Sequence, residues 1–383
     1  MGALTPFIGI LYSALEDANQ EATGFILASS KNMEASRVAK GQKVYAPLGD
    51  VAEPIEIVPG HTAPEVTEEN KADIAEITIE HEKAVRIKLT GNETLGLDAS
   101  GNYDRVTKAM FADAIRKLNN QIEQYMANTV IAGASRAVGD GTTPIFDTAG
   151  ELTDLANLGR ILNDNGCPDD GRNFVMSNDV LAKLQGKNNI LNNANKLGSD
   201  DFIRYGMTAP VLGFRLWRSG GLKLHDNSAT STGNGYTLTD AFEIGTTDVE
   251  VDAGTGVIAA GDAVTINGDT YMVKEGIDAP GIIKLSRPGL VKAGADGNAV
   301  TLINKFNPCV AFHTDAVHLA TRAPAVPKFG DLAIDRFLLA SEKTGLVYDV
   351  AIYPEYKQIV MEISIAYGAS VMNAENVAVL LGQ

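Results

Sequence analysis

Residues 102–132, NYDRVTKAMFADAIRKLNNQIEQYMANTVIA, contain neither glycine nor proline and are bracketed by Gly101 and Gly133. Within them Phe111, Ala114, Ile115, Leu118, Ile122, Tyr125, Met126 and Thr129 recur at three- and four-residue steps, the spacing of one face of an α-helix. Asp113, Arg116, Asn120 and Glu123 fall opposite and predict a polar side. The stretch reads as one unbroken helix, roughly 45 Å long at 1.5 Å per residue. Helices in globular domains average about a third of this length. This one is therefore expected to run as a strut across a whole domain.

Upstream, Phe7, Leu11, Leu15, Ala18, Ala22 and Phe25 keep helical spacing from Phe7 to Ala28, with Thr5 and Pro6 as cap and first-turn residues. The polar face of this helix carries Glu16, Asp17 and Glu21 within two turns, which suits either plain solvation or the docking of a basic partner. Ser29 to Lys43 is polar and poor in turn residues, and predicts a link. From Lys43 the pattern changes to short strands: Val44 to Ala46, Ile55 to Val58, then Ile77 and Ile79, and Val85, Ile87 and Leu89, alternating with polar residues. It predicts a long two-stranded hairpin with an irregular tip, Gly49 to Ala75. An isolated hairpin is marginal in water, so this arm is expected to complete itself against another copy of the chain.

Downstream, Leu152 to Leu162 reads as a short helix closed by Asn165-Gly166, and Asn173 to Met176 as a strand leading to Ser177, the cap of a helix through Leu184. Phe214 to Trp217 is a further strand, ended by Gly220-Gly221. His225 to Lys305 differs in texture: Thr, Gly, Asp and Val dominate. Short strands are predicted at Phe242 to Ile244, Val249 to Val251, Ala263 to Ile266, Thr270 to Val273, Ile282 to Leu285 and Val300 to Leu302. Asn267-Gly268 is a two-residue hairpin signal, and the region reads as a small all-β unit whose interior is lined by Val249, Val251, Val264, Ile266, Tyr271, Val273, Ile283 and Leu285. Val310 to Phe312, Leu346 to Tyr353 and Gln358 to Tyr367 are strands, the last two forming a hairpin turned at Pro354 to Lys357. Val377 to Leu381 closes the chain.

With 383 residues, 45% hydrophobic and 21% charged, the chain has room for two or three domains with cores of their own. The net charge of −16, with scattered Lys and Arg, argues against a surface that grips nucleic-acid phosphates. Cys167 and Cys309 are too few for a disulfide framework and fit a reducing cytosol. No apolar run approaches the ~18 residues that span a membrane, and a soluble chain is expected. Candidate chemistry is sparse. His313 and His318 stand five residues apart without a metalloprotease carboxylate, and Ser135, in Gly-Ala-Ser-Arg-Ala, lacks the second glycine of a nucleophile elbow. The acidic loop Asp164, Asn165, Gly166, Asp169, Asp170 lacks the ligand spacing of a calcium-binding loop. No catalytic, cofactor or metal site is expected.

Four stretches, in order, resemble the major capsid proteins of tailed double-stranded-DNA phages. They are Gly41 to Pro47 with Ile57-Val-Pro-Gly60 and Ala63-Pro-Glu65; Leu95-Gly-Leu97 with Asn102 to Met126; Gly166-Cys-Pro168 with Gly171-Arg-Asn-Phe-Val-Met-Ser177; and a C-terminal block. That block holds Ala311-Phe-His-Thr-Asp-Ala316, Leu319-Ala-Thr-Arg322, Thr344-Gly-Leu-Val-Tyr348 and Ala366-Tyr-Gly368. The resemblance is to the branch with an inserted β domain, typified by the coat protein of phage P-twenty-two. It implies an α+β fold of the Hong Kong ninety-seven type plus a small inserted all-β domain.

On that resemblance, residues 1–42 are the N-arm, 43–95 the extended loop, 96–141 the spine helix of the peripheral domain and 142–224 the axial domain. Residues 225–305 are the inserted domain, 306–372 the peripheral strands and 373–383 a return to the axial domain. The implied function is a major capsid protein that self-assembles into an icosahedral shell around a phage genome, without enzymatic activity. The implied partners are many copies of itself as hexamers and pentamers, a portal protein, enclosed DNA held without specific binding, and a separate scaffolding protein. A separate scaffold is implied because this chain has no room for a fused one. Glu16, Asp17 and Glu21 are the expected scaffold contact, and the expected location is the virion, assembled in the bacterial cytoplasm. Two alternatives stand beside this reading. One is an encapsulin-like nanocompartment shell; the other is a cytosolic α/β enzyme with a β insertion.

Overall fold

The computed structural model of the protein describes residues 4–21, 24–49, 72–99, 101–147, 152–185, 210–328 and 330–383. The chain begins with a 3-10 turn, Thr5–Phe7, helix α1, Ile8–Glu21, and a one-turn helix α2, Phe25–Ala28. Strands β1 (Ser30–Val38), β2 (Lys43–Gly49), β3 (Ala72–Thr78) and β4 (His81–Thr90) follow, then helices α3 (Gly91–Ala99) and α4 (Tyr103–Gly133). Next come β5 (Arg136–Val138), α5 (Thr153–Asp164), β6 (Arg172–Met176), α6 (Asn178–Gln185) and β7 (Arg215–Arg218). A run of strands comprises β8 (His225–Asp226), β9 (Tyr236–Leu238), β10 (Asp248–Asp252), β11 (Ala263–Ile266), β12 (Asp269–Glu275), β13 (Gly281–Leu285) and β14 (Ala299–Ile303). The chain ends with β15 (Lys305–His313), β16 (Val317–Pro324), β17 (Asp335–Ala340), β18 (Val347–Glu355), β19 (Gln358–Val371) and β20 (Val377–Gly382).

Helix α4 is the predicted strut, shifted by one residue at each end. Its apolar stripe packs on a sheet ordered β1-β16-β19-β18-β17, with β4 also on β19. Ile115, Leu118, Ile122 and Met126 share one buried cluster with Tyr348, Val350, Ile363 and Ile365. The predicted polar side is only partly polar in its surroundings. Glu123 is 7% exposed and Asn119 5%, because α1 and α2 also pack on α4 and bring Leu11, Ala14, Leu15, Phe25 and Ile26 into the same cluster.

Three expectations for the first hundred residues change. The helix predicted over Phe7 to Ala28 is broken at Gly24, whose φ of +142° suits glycine. A Cβ there would also meet Glu123 Oε2 at 2.8 Å. The link predicted from Ser29 to Lys43 contains β1, which runs parallel to β16 from Ser30↔His318 to Val38↔Pro324. The single hairpin predicted from Lys43 to Leu89 divides on its return. β3 pairs with β2, from Lys43↔Thr78 to Gly49↔Ala72, as a separate two-stranded ribbon, while β4 joins the sheet along β19, from Gln358↔Thr90 to Tyr367↔His81. The physical reason lies in two different cores: Ile77 and Ile79 are buried with Val38, Val44, Ala320 and Ala366, whereas Leu89 faces the α4 core. Most of the predicted tip, residues 50–71, and the strand Ile55 to Val58 lie outside the described residues.

The second large sheet is ordered β11-β14-β9-β10-β13-β12-β5-β20-β15-β6-β7, with β8 on β15. Its β20-β15-β6 part is covered by α5 and α6. There Leu155, Leu158, Ile161 and Leu184 pack with Phe174, Met176, Cys309 and Leu380. The other half has its own cluster, which contains all eight residues expected to line it, together with Tyr236, Leu238, Ile258, Leu290 and Val300. Asn267 and Gly268 take φ +52° and +81° between β11 and β12, the two positive values a tight hairpin turn requires. The strand predicted at Phe242 to Ile244 is reduced to a bridge between Phe242 and Gly294, since Gly245, at φ +89°, turns the chain at once. The halves meet where β12 pairs with β5, Tyr271 opposite Arg136. The β18–β19 hairpin turns at Tyr356 and Lys357, the latter at φ +55°.

Candidate functional site

Several polar groups buried among the described residues join segments distant in sequence. Asp349, 1% exposed on β18, receives both Nη atoms of Arg37 from β1, at 3.0 and 3.1 Å, and Nη1 of Arg336 from β17 at 2.5 Å. Arg322 of β16, 2% exposed, donates to the Asn32 carbonyl at 2.6 Å and to Asn32 Oδ1 at 2.8 Å, and pairs with Glu34 at 3.3 Å. These arginines hold β1, whose own sequence has little apolar surface, against the sheet. The two anchors differ in depth: the Asp349 carboxylate is buried, whereas Glu34 is mostly exposed, so Arg322 holds β1 chiefly through Asn32.

A second joint sits where the N-terminal segment crosses α4. Glu123 Oε2 accepts Phe25 N–H at 3.0 Å and the Ser219 hydroxyl at 2.8 Å, and Oε1 accepts Ile26 N–H at 2.9 Å. Burial pushes its carboxyl up from the usual range, against the pull of those three donors. Asn173 makes a related tie: its Nδ2 donates to the carbonyls of Ala28 and Gly171 and to Thr314 Oγ1, and its Oδ1 accepts Trp217 Nε1–H at 2.8 Å.

The residues singled out in the sequence are placed as follows. Glu16 and Asp17 are exposed on α1, and Asp17 is paired with Lys108 of α4 at 2.8 Å, so part of this acidic face is already neutralised within the chain. Glu21 ends α1; its side chain is outside the described residues. His313 Nδ1 accepts Asp315 N–H at 3.2 Å, and His318 Nε2 lies 3.1 Å from the Asp315 carbonyl, so both rings brace the turn between β15 and β16. Ser135 is buried and donates to the Val377 carbonyl at 2.8 Å. In the acidic loop, Asp169 faces Arg172 at 2.9 Å and Asp164 faces Arg160 at 3.5 Å. Cys167 and Cys309 are buried, and burial pushes the Cys309 thiol up to about 12. Among the described residues no cluster of His, Cys, Asp or Glu has metal-binding geometry, and no helix is long and apolar enough to cross a membrane.

The geometry is that of a braced body: a long helix on one sheet, a second sheet with two separate cores, and a two-stranded ribbon whose base packs on the first sheet through Val44 and Ile77. No family model and no curated protein matches the sequence. Solved structures do. A chain of the capsid structure of cyanophage P-SCSP1u matches with a TM-score of 0.50 and 12% identity, over 94% of this chain and 88% of its own. The chain has the fold of tailed-phage capsid proteins. The mature capsid of bacteriophage PhiM1 matches over the same shares, 94% and 88%, at 12% identity and a TM-score of 0.47. The fold shared with the cyanophage capsid chain agrees with the resemblance carried by the ordered stretches. The joints at Asp349 and Glu123 were not anticipated from sequence. The Glu123 joint has a local sign in glycine: a Cβ on Gly24 or Gly221 would come within 2.8 Å of Glu123 atoms.

Proposed function

We propose that this chain is a major capsid protein, many copies of which close into an icosahedral shell around a double-stranded DNA genome. The observation that carries the reading is the capsid fold spanning nearly the whole of both chains compared. On this reading the work is done by surfaces, with no catalytic residue, metal or cofactor. Residues 1–42 serve as the N-arm, 43–95 as the extended loop, 96–141 as the spine and 142–224 as the axial domain. Residues 225–305 serve as the insertion, 306–372 as the peripheral strands and 373–383 as the return to the axial domain. The exposed Leu95, Tyr356 and Ile359 line one hollow beside α3 and the β18–β19 turn. An apolar patch of this kind suits contact with a neighbouring subunit. The two-stranded β2–β3 ribbon, marginal by itself, suits the same role. Portal and scaffolding proteins would complete the assembly in a bacterial cytoplasm, with Glu16, Asp17 and Glu21 offering a basic scaffold segment its docking face.

Electron micrographs of the purified chain, concentrated stepwise, test the reading. Uniform closed shells support it; shells filled with a cargo enzyme would indicate a nanocompartment; a monomer at every concentration with measurable catalysis would overturn it. Deleting residues 50–71 is expected to preserve circular dichroism while abolishing shells. Scaffold binding should weaken with salt and with the Asp17→Lys, Glu21→Lys double change.

A further inference from the structure

The first amides of a helix have no carbonyl partner within it, and in α2 they are supplied from elsewhere in the chain. Phe25 N–H and Ile26 N–H both donate to Glu123, at 3.0 and 2.9 Å. The Ser219 hydroxyl donates to the same carboxylate at 2.8 Å and accepts Gly221 N–H at 3.1 Å. Three segments, around residues 25, 123 and 220, therefore converge on one carboxyl group. The fit leaves no slack: a Cβ on Gly24 would lie 2.8 Å from Glu123 Oε2, and one on Gly221 would lie 2.7 Å from the Glu123 carbonyl carbon. Around it, α1 and α2 contribute apolar surface from Ala18 and Ile26.

We propose that Glu123 is a proton-linked latch that positions the N-terminal segment on the long helix. The latch belongs to the single subunit and holds whether or not the chain forms shells. The donors that reach the carboxyl are neutral: two backbone amides and a hydroxyl. The charged groups that face it across the adjacent cavity of about 270 Å³ are Arg116, from its own helix, and Arg218, from the end of β7; Asn119, Asn120 and Asn178 complete the polar wall. Taking a carboxylate out of water disfavours its charged form, and here burial outweighs the three hydrogen bonds, so the docked state holds the proton more tightly than an exposed glutamate does. When the segment lifts, the carboxyl regains water and an ordinary affinity. By linkage, docking is strongest below the ordinary glutamate value and weakens as pH rises through the docked-state value. The latch thereby sets how firmly α1, with Glu16 and Asp17 on its exposed side, is held.

Hydrogen exchange on the full-length soluble subunit tests this, read at the Phe25 and Ile26 amides from about pH 8 to pH 5 and corrected for intrinsic exchange chemistry. Protection at these two amides is expected to rise several-fold as pH falls, while amides in β19 keep a flat profile. Glu123→Gln should abolish the pH dependence. Glu123→Ala should lower protection at the two amides by about tenfold or more, as expected for two buried donors left unpaired. If Glu123→Ala does not fold, Ser219→Ala serves instead: it removes a donor that favours the charged form and should move the profile to higher pH. A flat wild-type profile, a pH dependence that survives Glu123→Gln, or a profile unmoved by Ser219→Ala would overturn the latch.

Discussion

The body around α4 and the β region of residues 225–305 bury their cores in opposite ways. The body's main cluster draws on residues from Leu4 to Leu381, so nearly the whole chain must be in place before it closes. The cluster of the β region lies between Tyr236 and Val300, and its strands are joined mostly by antiparallel neighbours near in sequence. Local pairing costs little loop-closure entropy, and long-range pairing costs more. The difference predicts two cooperative units meeting at a seam where β12 pairs with β5, an expectation for the variants below to test. At that seam the buried Arg136 pairs with Asp269 at 3.3 Å, and Ala263 and Met272 reach into the body's cluster.

The most damaging test replaces Ile122, fully buried at the centre of α4. Ile122→Asp buries an unpaired carboxylate, which costs several kcal/mol, and the chain is expected to be insoluble. Val251→Asp, equally buried in the β region, should melt that region and leave the body's transition in calorimetry. If both variants abolish one common transition, the two units are one. Next in size, Asp349→Ala removes the carboxylate that Arg37 and Arg336 share; Arg336 keeps Asp331 and Arg37 keeps the Pro324 carbonyl, so urea unfolding of the body should lose about 2–3 kcal/mol.

Residues 224–305 expressed alone should give a dispersed amide spectrum and a cooperative melt, at a lower midpoint than in the full chain because the seam is missing. A collapsed spectrum would mean the region depends on the body. In the full chain, Arg136→Ala should lower the same transition by about 1–2 kcal/mol, the loss of a charge-assisted hydrogen bond, because Asp269 keeps its pair with Lys292 at 2.8 Å. The smallest effect is expected from Asp17→Ala. Its pair with Lys108 is half exposed, so thermal stability should fall by less than about 1 kcal/mol.

By itself, the sequence determined what is periodic or conformationally exacting over a few residues. The α4 stripe, the Asn267-Gly268 turn and the alternation from Val249 to Leu285 are such signals, because side-chain direction repeats with the backbone and positive φ selects glycine and asparagine. One further signal was present and unread: Thr90 and Glu93 form a reciprocal cap, with the Thr90 amide donating to Glu93 Oε2 at 2.9 Å, at the start of α3. The tertiary structure alone decided the rest. Ser30–Val38 has no alternation that marks a strand, and it is held as one where Arg322 reaches Asn32 from β16 and its own Arg37 reaches Asp349 on β18. Glu123 reads as solvent-facing from its helical position, and it is buried because the amides of Phe25 and Ile26 arrive from a hundred residues away to satisfy it. Burial of a polar group depends on partners that bring complementary donors and acceptors, and local spacing carries no record of where those partners lie.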